Sequence, residues 1–214
     1  MKNGFKVLGL LFVFLSVTLL ANAQNNSKDT RELFEKGTAL LEKGEYDAVI
    51  HMVQELALSN PLDLIINWLL ASAQLEKCEL MKINHDANYK YLVMQPYEIG
   101  LRLLRPFSSR PEPYYLIARS LTLNDRPRKA YDYIKKALEL SPPEHRWYAE
   151  FLMVLGDSFS GQLKKAGMAR GAKDQDFYVE AMEAYTESSE LRENDPVFCA
   201  RIKKRMEVLE QVRH

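Results

Sequence analysis

The stretch Lys43–Pro61, KGEYDAVIHMVQELALSNP, decides the fold. Gly44 allows a turn at positive φ, which a residue without a Cβ adopts freely. After Tyr46 the apolar residues Val49, Ile50, Val53, Leu56 and Ala57 recur at three and four, the period of an amphipathic helix. Asn60-Pro61 ends it, because the residue before a proline is driven out of the α region. One amphipathic helix after a turn cannot bury its own stripe. Its partner is the segment just before it, where Leu33, Gly37, Leu40 and Leu41 share one helical face and Lys43-Gly44 closes the helix. Residues 30–61 are therefore one helical hairpin.

The hairpin recurs. Pro111–Pro142 places Tyr114, Ile117, Ala118 and Leu121 on a first helix and Ala130, Ile134, Ala137, Leu138 and Leu140 on a second. Pro127 stands at the first turn of that second helix, where its missing N–H costs nothing. Pro61 and Pro142 are 81 residues apart. At the same offset Gly37 meets Ala118, Leu40 meets Leu121, Tyr97 meets Tyr178, Gly100 meets Ala181 and Leu101 meets Met182. A short hairpin followed by a longer one has been laid down twice. The longer ones are 62–110 (Trp68, Ala71, Ser72, Leu75, then Tyr97, Gly100, Leu101, Leu104, Phe107) and 143–195 (Tyr148, Phe151, Leu152, Leu155, then Tyr178, Ala181, Met182, Tyr185, Leu191). Each carries about 16 more residues between its helices than a 34-residue unit needs. These are roughly 79–94 and 159–175, readable either as helix extensions or as loops.

Residues 30–61 resemble a tetratricopeptide repeat in Gly37 and Ala39, in Gly44 with Tyr46-Asp47 at the turn, and in Pro61. Residues 111–142 are similar in Ala118, Ala130, Ala137 and Pro142, with Pro127 departing from the turn aromatic. The resemblance implies an all-α solenoid of helix-turn-helix repeats (30–61, 62–110, 111–142, 143–195) and a binding function. A last helix, 196–213, reads as its cap: Asp195 and Pro196 start it. Val197, Phe198, Ile202, Met206, Leu209 and Val212 form the apolar side, and Arg201, Lys203, Lys204, Arg205, Glu207 and Glu210 the solvated one.

The chain begins MKNGFKVLGLLFVFLSVTLLANAQ: Lys2 and Lys6, an apolar run from Val7 to Leu20, then Ala21-Asn22-Ala23. This is the pattern of a secretory signal cleaved after Ala23, with 24–29 a short linker. It predicts a bacterial periplasmic protein; the alternative is an inner-membrane anchor left uncleaved. No later stretch is apolar for long enough to span a bilayer. Acidic and basic residues balance at 29 each, which gives no electrostatic pull toward nucleic acid. Cys78 and Cys199 lie far apart in an extended array, so free thiols on helix faces are expected.

No catalytic, cofactor or metal motif stands out. The histidines are scattered, and His85-Asp86 supplies too few ligands for a metal. Function is expected to be binding without catalysis or cofactor: a scaffold holding an unidentified protein or peptide in the groove lined by the first helices. By the repeat pattern that groove presents Phe34, Tyr115 and Arg119, with Arg31, Thr38 and Glu112 nearby; aromatics and arginine are common interface anchors. The Lys and Asn pattern that marks carboxylate capture in some chaperone-binding members is not matched. The alternative is a ligand- or lipid-binding accessory of a transport or envelope system, with Tyr91, Leu92, Met94 and Leu103 lining an apolar cavity.

Overall fold

A computed structural model describes residues 29–165 and 172–213, so the expected signal segment and the middle of the second long insert lie outside the described residues. Every regular element among them is a helix. The helices are α1 (29–42), α2 (Tyr46–Ser59), α3 (Leu64–Ile83), α4 (Tyr89–Leu92), α5 (Met94–Leu104), α6 (Pro111–Leu123), α7 (Pro127–Glu139), α8 (Tyr148–Lys165), α9 (Ala172–Glu190) and α10 (Pro196–Arg213). Among the described residues no helix is long and apolar enough to cross a membrane.

Chain neighbours pack consecutively, α2 on α3, α5 on α6, α6 on α7, α7 on α8 and α8 on α9. A second set of contacts joins alternate helices, α3 with α6, α6 with α8 and α8 with α10. The result is two layers: α3, α6, α8 and α10 inside, α2, α5, α7 and α9 outside. Within the inner layer α3, α6 and α8 are the better buried. In α6, for example, only Tyr114 and Thr122 among its 13 residues escape full burial, whereas α2 buries Val49, Val53 and Ala57. Leu56, read as part of that stripe, is 40% exposed.

Three turns between helix partners are built identically. The residue at the turn is left-handed at Gly44 (φ 76), His85 (φ 58) and Asp125 (φ 54). Its N–H donates to the carbonyl three residues back (Leu41, 3.0 Å; Lys82, 3.2 Å; Thr122, 3.2 Å). The next N–H donates five residues back (Glu45 to Leu40, 2.9 Å; Asp86 to Met81, 2.9 Å; Arg126 to Leu121, 2.8 Å). This pair of bonds is the Schellman closure, which satisfies carbonyls that a helix end leaves open. Gly44 and Asp125 are also 81 residues apart, so the sequence offset is an offset of backbone conformation as well.

The first long insert proves to be both things it was read as. α3 continues through it to Ile83, the Schellman turn follows, and the short α4 leads into α5. Asp86 has a local task there: its Oδ1 accepts from the N–H of Asn88 at 2.9 Å. The second long hairpin lengthens both of its helices, α8 to 18 residues and α9 to 19.

The Asn60-Pro61 stop is held from outside. Asn67, fully buried, donates through Nδ2 to the carbonyls of Asn60 (2.9 Å) and Asp63 (2.8 Å). Arg102 on α5 donates to the Pro61 carbonyl at 3.0 Å. Asp63 caps α3 by accepting from the Ile66 N–H at 2.9 Å, the usual N-cap bond.

Candidate functional site: an ion network on the inner layer

Glu76 and Glu79 lie three residues apart on α3, so both point from one face of that helix. Two other helices, α6 and α10, bring partners to them, and α8 and α9 extend the network. From α6, Arg119 places Nη2 2.8 Å from Glu76 Oε1 and 2.9 Å from Glu79 Oε2, and its Nη1 donates to the Tyr115 hydroxyl at 3.1 Å. From α10, Arg201 bonds Glu79 and lies 3.1 Å from Glu76 Oε2. Arg205, one turn on, bonds Glu79 through Nη2 and donates through Nε to Asp157 Oδ1 of α8 at 3.0 Å. From α9, the Tyr185 hydroxyl donates to that same Asp157 oxygen at 2.8 Å.

Three guanidinium groups thus meet three carboxylates, and the cluster is neutral. Its members are largely shielded: the side chains of Arg119, Glu79 and Arg205 are 5%, 15% and 17% exposed. Burial alone would push the Glu79 carboxyl up, but Arg205, Arg201 and Arg119 outweigh it and hold it well below the usual range. The same carboxylates raise Arg119 and Arg205 against the opposing effect of burial. Burial pushes the Tyr115 phenol up to about 12.

Beside the charges stands an aromatic wall. Trp68 lies 5.3 Å from Tyr115 and 5.7 Å from Trp147, and Tyr115 lies 5.0 Å from Phe151, centroid to centroid. These spacings are those of favourable tilted pairs. Arg146 closes the wall toward α1, lying 5.6 Å over Phe34 and 5.0 Å over Trp147, with Glu42 at 3.4 Å. Glu150, on α8, pairs with Arg192 at 2.9 Å through one oxygen. Its other oxygen and the Trp68 Nε1 are buried without a protein partner. Burial raises the Glu150 carboxyl against the pull of Arg192.

The groove residues expected from the repeat pattern divide sharply. Tyr115 and Arg119 do face inward together, but at 3% and 4% exposure they are covered. At these two positions the inner side is covered, and α10 reaches across it to α3. The reason is visible in Arg201 and Arg205, which were read as solvated and instead turn toward α3. Phe34 is half-buried beneath Arg146. Thr38 is buried and spends its hydroxyl on the Phe34 carbonyl of its own helix (2.9 Å). Glu112 is buried at the start of α6 and pairs with Arg110 at 2.6 Å. Arg31 is exposed and pairs with Glu35 at 2.9 Å.

The four residues read as a cavity wall differ in exposure. Tyr91 is 80% exposed and Met94 39%, whereas Leu103 is fully buried and Leu92 packs against the core. Both thiols are free. Cys78 is buried near the Tyr89 carbonyl, and burial pushes it up to about 11. Among the described residues no group of three or more His, Cys, Asp or Glu is placed to hold a metal ion.

Sequence reasoning missed Glu76, Glu79, Asp157, Tyr185, Arg201 and Arg205 as a set. A signal existed for some of them. Glu76 and Glu79 interrupt the otherwise apolar face of WLLASAQLEKCEL, and an acidic residue on a buried helix calls for a partner. No protein-family model matches the chain, and no curated protein matches it.

Proposed function

We propose that this chain is a non-catalytic adaptor of the bacterial periplasm. It is an exported tetratricopeptide-like array that holds a protein or peptide partner against its inner layer. The observation that carries the reading is α10 itself. The inner layer already holds a helix, and does so with two arginines set against carboxylates from two other helices. A surface that fixes one helix by spaced charges and flanking apolar contacts has the chemistry to fix another. The repeated Schellman turns and the resemblance of 30–61 and 111–142 to tetratricopeptide repeats support the family reading. An array of that kind works by shape and anchor residues rather than by bond-making.

The test is site-specific photo-crosslinking in the chain from residue 24 onward, exposed to a periplasmic extract. A photo-reactive residue at Arg31, three before Phe34 on α1, is expected to capture one stoichiometric protein. The same residue at Lys135, exposed on α7, is expected to capture none. Capture at Lys135 alone would place the partner on the outer layer and defeat the reading.

A further inference from the structure

Helix α10 is attached partly through charge. Among its described side chains, Phe198, Ile202 and Leu209 are the buried apolar ones. Met206 packs partly against the core, and Arg201 and Arg205 add charge, both reaching Glu79 on α3, across 122 and 126 residues of chain. The far side of the helix, with Lys203, Lys204, Glu207 and Glu210, is exposed, and among the described residues no further element packs on it.

The rest of the array is unbalanced without it. Glu76, Glu79 and Asp157 then face Arg119 as the remaining guanidinium of the network, three negative charges against one positive. The two missing positive charges are those of Arg201 and Arg205. Arg205 alone engages α3 and α8 at once, through Glu79 and Asp157, and Arg201 one turn earlier engages α3. α10 joins α9 through the short segment 191–195.

We propose that α10 occupies in cis a docking site whose other occupant is a partner helix bearing two arginines at i and i+4 beside an apolar stripe. Partner binding displaces α10. This rests on the reading that partners are held on the inner layer, and it names their chemical class. The partner's arginines replace Arg201 and Arg205 and pair with Glu76, Glu79 and Asp157, and its apolar residues replace Phe198, Ile202 and Leu209. The acidic floor discriminates against helices with acidic or neutral residues at those two places, because a buried carboxylate left unpaired is strongly penalised.

The probe is a fluorescent peptide with the sequence of residues 196–213, and its anisotropy is read against the chain from residue 24 onward. The Arg201→Ala/Arg205→Ala chain is expected to bind it roughly tenfold or more tighter than the unaltered chain, since its own helix competes less. Adding Glu79→Gln to that chain is expected to remove the gain. Equal affinity for both chains, or a gain that survives Glu79→Gln, overturns the proposal. Should the double variant fail to fold, hydrogen exchange on the unaltered chain decides. α10 amides are expected to open ahead of those of α8 and α9 and to exchange faster with peptide present. Exchange of α10 in step with α8, or no effect of peptide, overturns it. Exchange of α10 between two copies of this chain, seen as a dimer that excess peptide does not dissolve, also overturns it. A partner crosslinked at Arg31 while the peptide fails to bind removes this inference and leaves the adaptor reading standing.

Discussion

Glu79 on α3 and Arg205 on α10 are hydrogen-bonded across 126 residues of chain. Arg201, one turn earlier on α10, bonds the same carboxylate, and Arg119 reaches it from α6. Glu79 is therefore the point where the first long hairpin, the second short hairpin and the terminal helix meet. Removing one partner of a buried ion cluster leaves the others uncompensated, at a cost of about 3–5 kcal/mol. Glu79→Gln is expected to lower unfolding stability by about 3 kcal/mol. Glu76→Gln is expected to cost less, because Glu76 meets Arg119 and Arg201 but not Arg205. Urea unfolding followed by circular dichroism measures both. Equal and small losses would show that the network contributes little.

The two buried glutamates should respond to pH with opposite sign. Glu79 has a depressed folded value. Its contribution is present above the unfolded value of about 4.3 and is lost as pH falls through the folded value. Glu150 has a raised folded value. Its contribution is full below about 4.3 and is lost as pH rises through the folded value, so at neutral pH its ionisation is a burden. Relative to the unaltered chain, Glu79→Gln should look worst near about pH 7 and improve toward about pH 4. Glu150→Gln should be close to neutral near about pH 7 and look worse toward about pH 4. Urea midpoints across that range test the signs; two parallel curves would contradict the opposed environments.

Much of the fold is legible in local sequence because its causes are local. The end of α2 follows from Asn60-Pro61, the turn at Gly44 from its missing Cβ, and the start of α10 from Asp195, whose Oδ1 accepts from the Phe198 N–H at 2.9 Å. The 81-residue offset found Gly37 and Ala118, both buried. The site was not legible for a physical reason. Whether Arg201 faces water or Glu79 depends on how far the array has curled by the time α10 is laid down. That curl is the sum of small rotations over every preceding helix pair. The helical period places Arg201 on a polar face but does not say what that face meets. Arg119 shows the same gap: its inward direction was readable, but not that another helix would cover it.

The contact between Gly156 and Tyr185 is a third measurable feature. A Cβ at position 156 would fall 2.5 Å from Tyr185 Cε1. The ring thus lies directly on the α8 backbone, and that seat brings its hydroxyl to Asp157. Gly156→Ala forces the ring away, an overpacking that costs about 1–3 kcal/mol. Displacing the ring also withdraws the hydroxyl from the carboxylate that Arg205 shares. Combining Gly156→Ala with Tyr185→Leu should cost less than the sum of the two single changes, since the smaller side chain leaves room for the added methyl. Additive losses in a double-mutant cycle would mean that the two positions do not constrain each other.

The left-handed turns give a prediction of opposite direction. His85 adopts φ 58 with its side chain exposed, and a residue with a Cβ is disfavoured there by roughly 1–2 kcal/mol. Gly44 meets the same requirement without that strain. His85→Gly is therefore expected to raise stability, by about 0.5–1 kcal/mol once the added freedom of glycine in the unfolded chain is subtracted. Gly44→Ala is expected to lower it by about 1 kcal/mol. Asp125 is a less favourable place for the same change, because its carboxylate holds Lys82 at 2.8 Å and an aspartate tolerates the left-handed region better than most. Asp125→Gly should therefore gain less than His85→Gly. Thermal unfolding of the three single variants ranks them. A His85→Gly chain less stable than the parent would mean that the imidazole contributes something beyond its place in the Schellman turn.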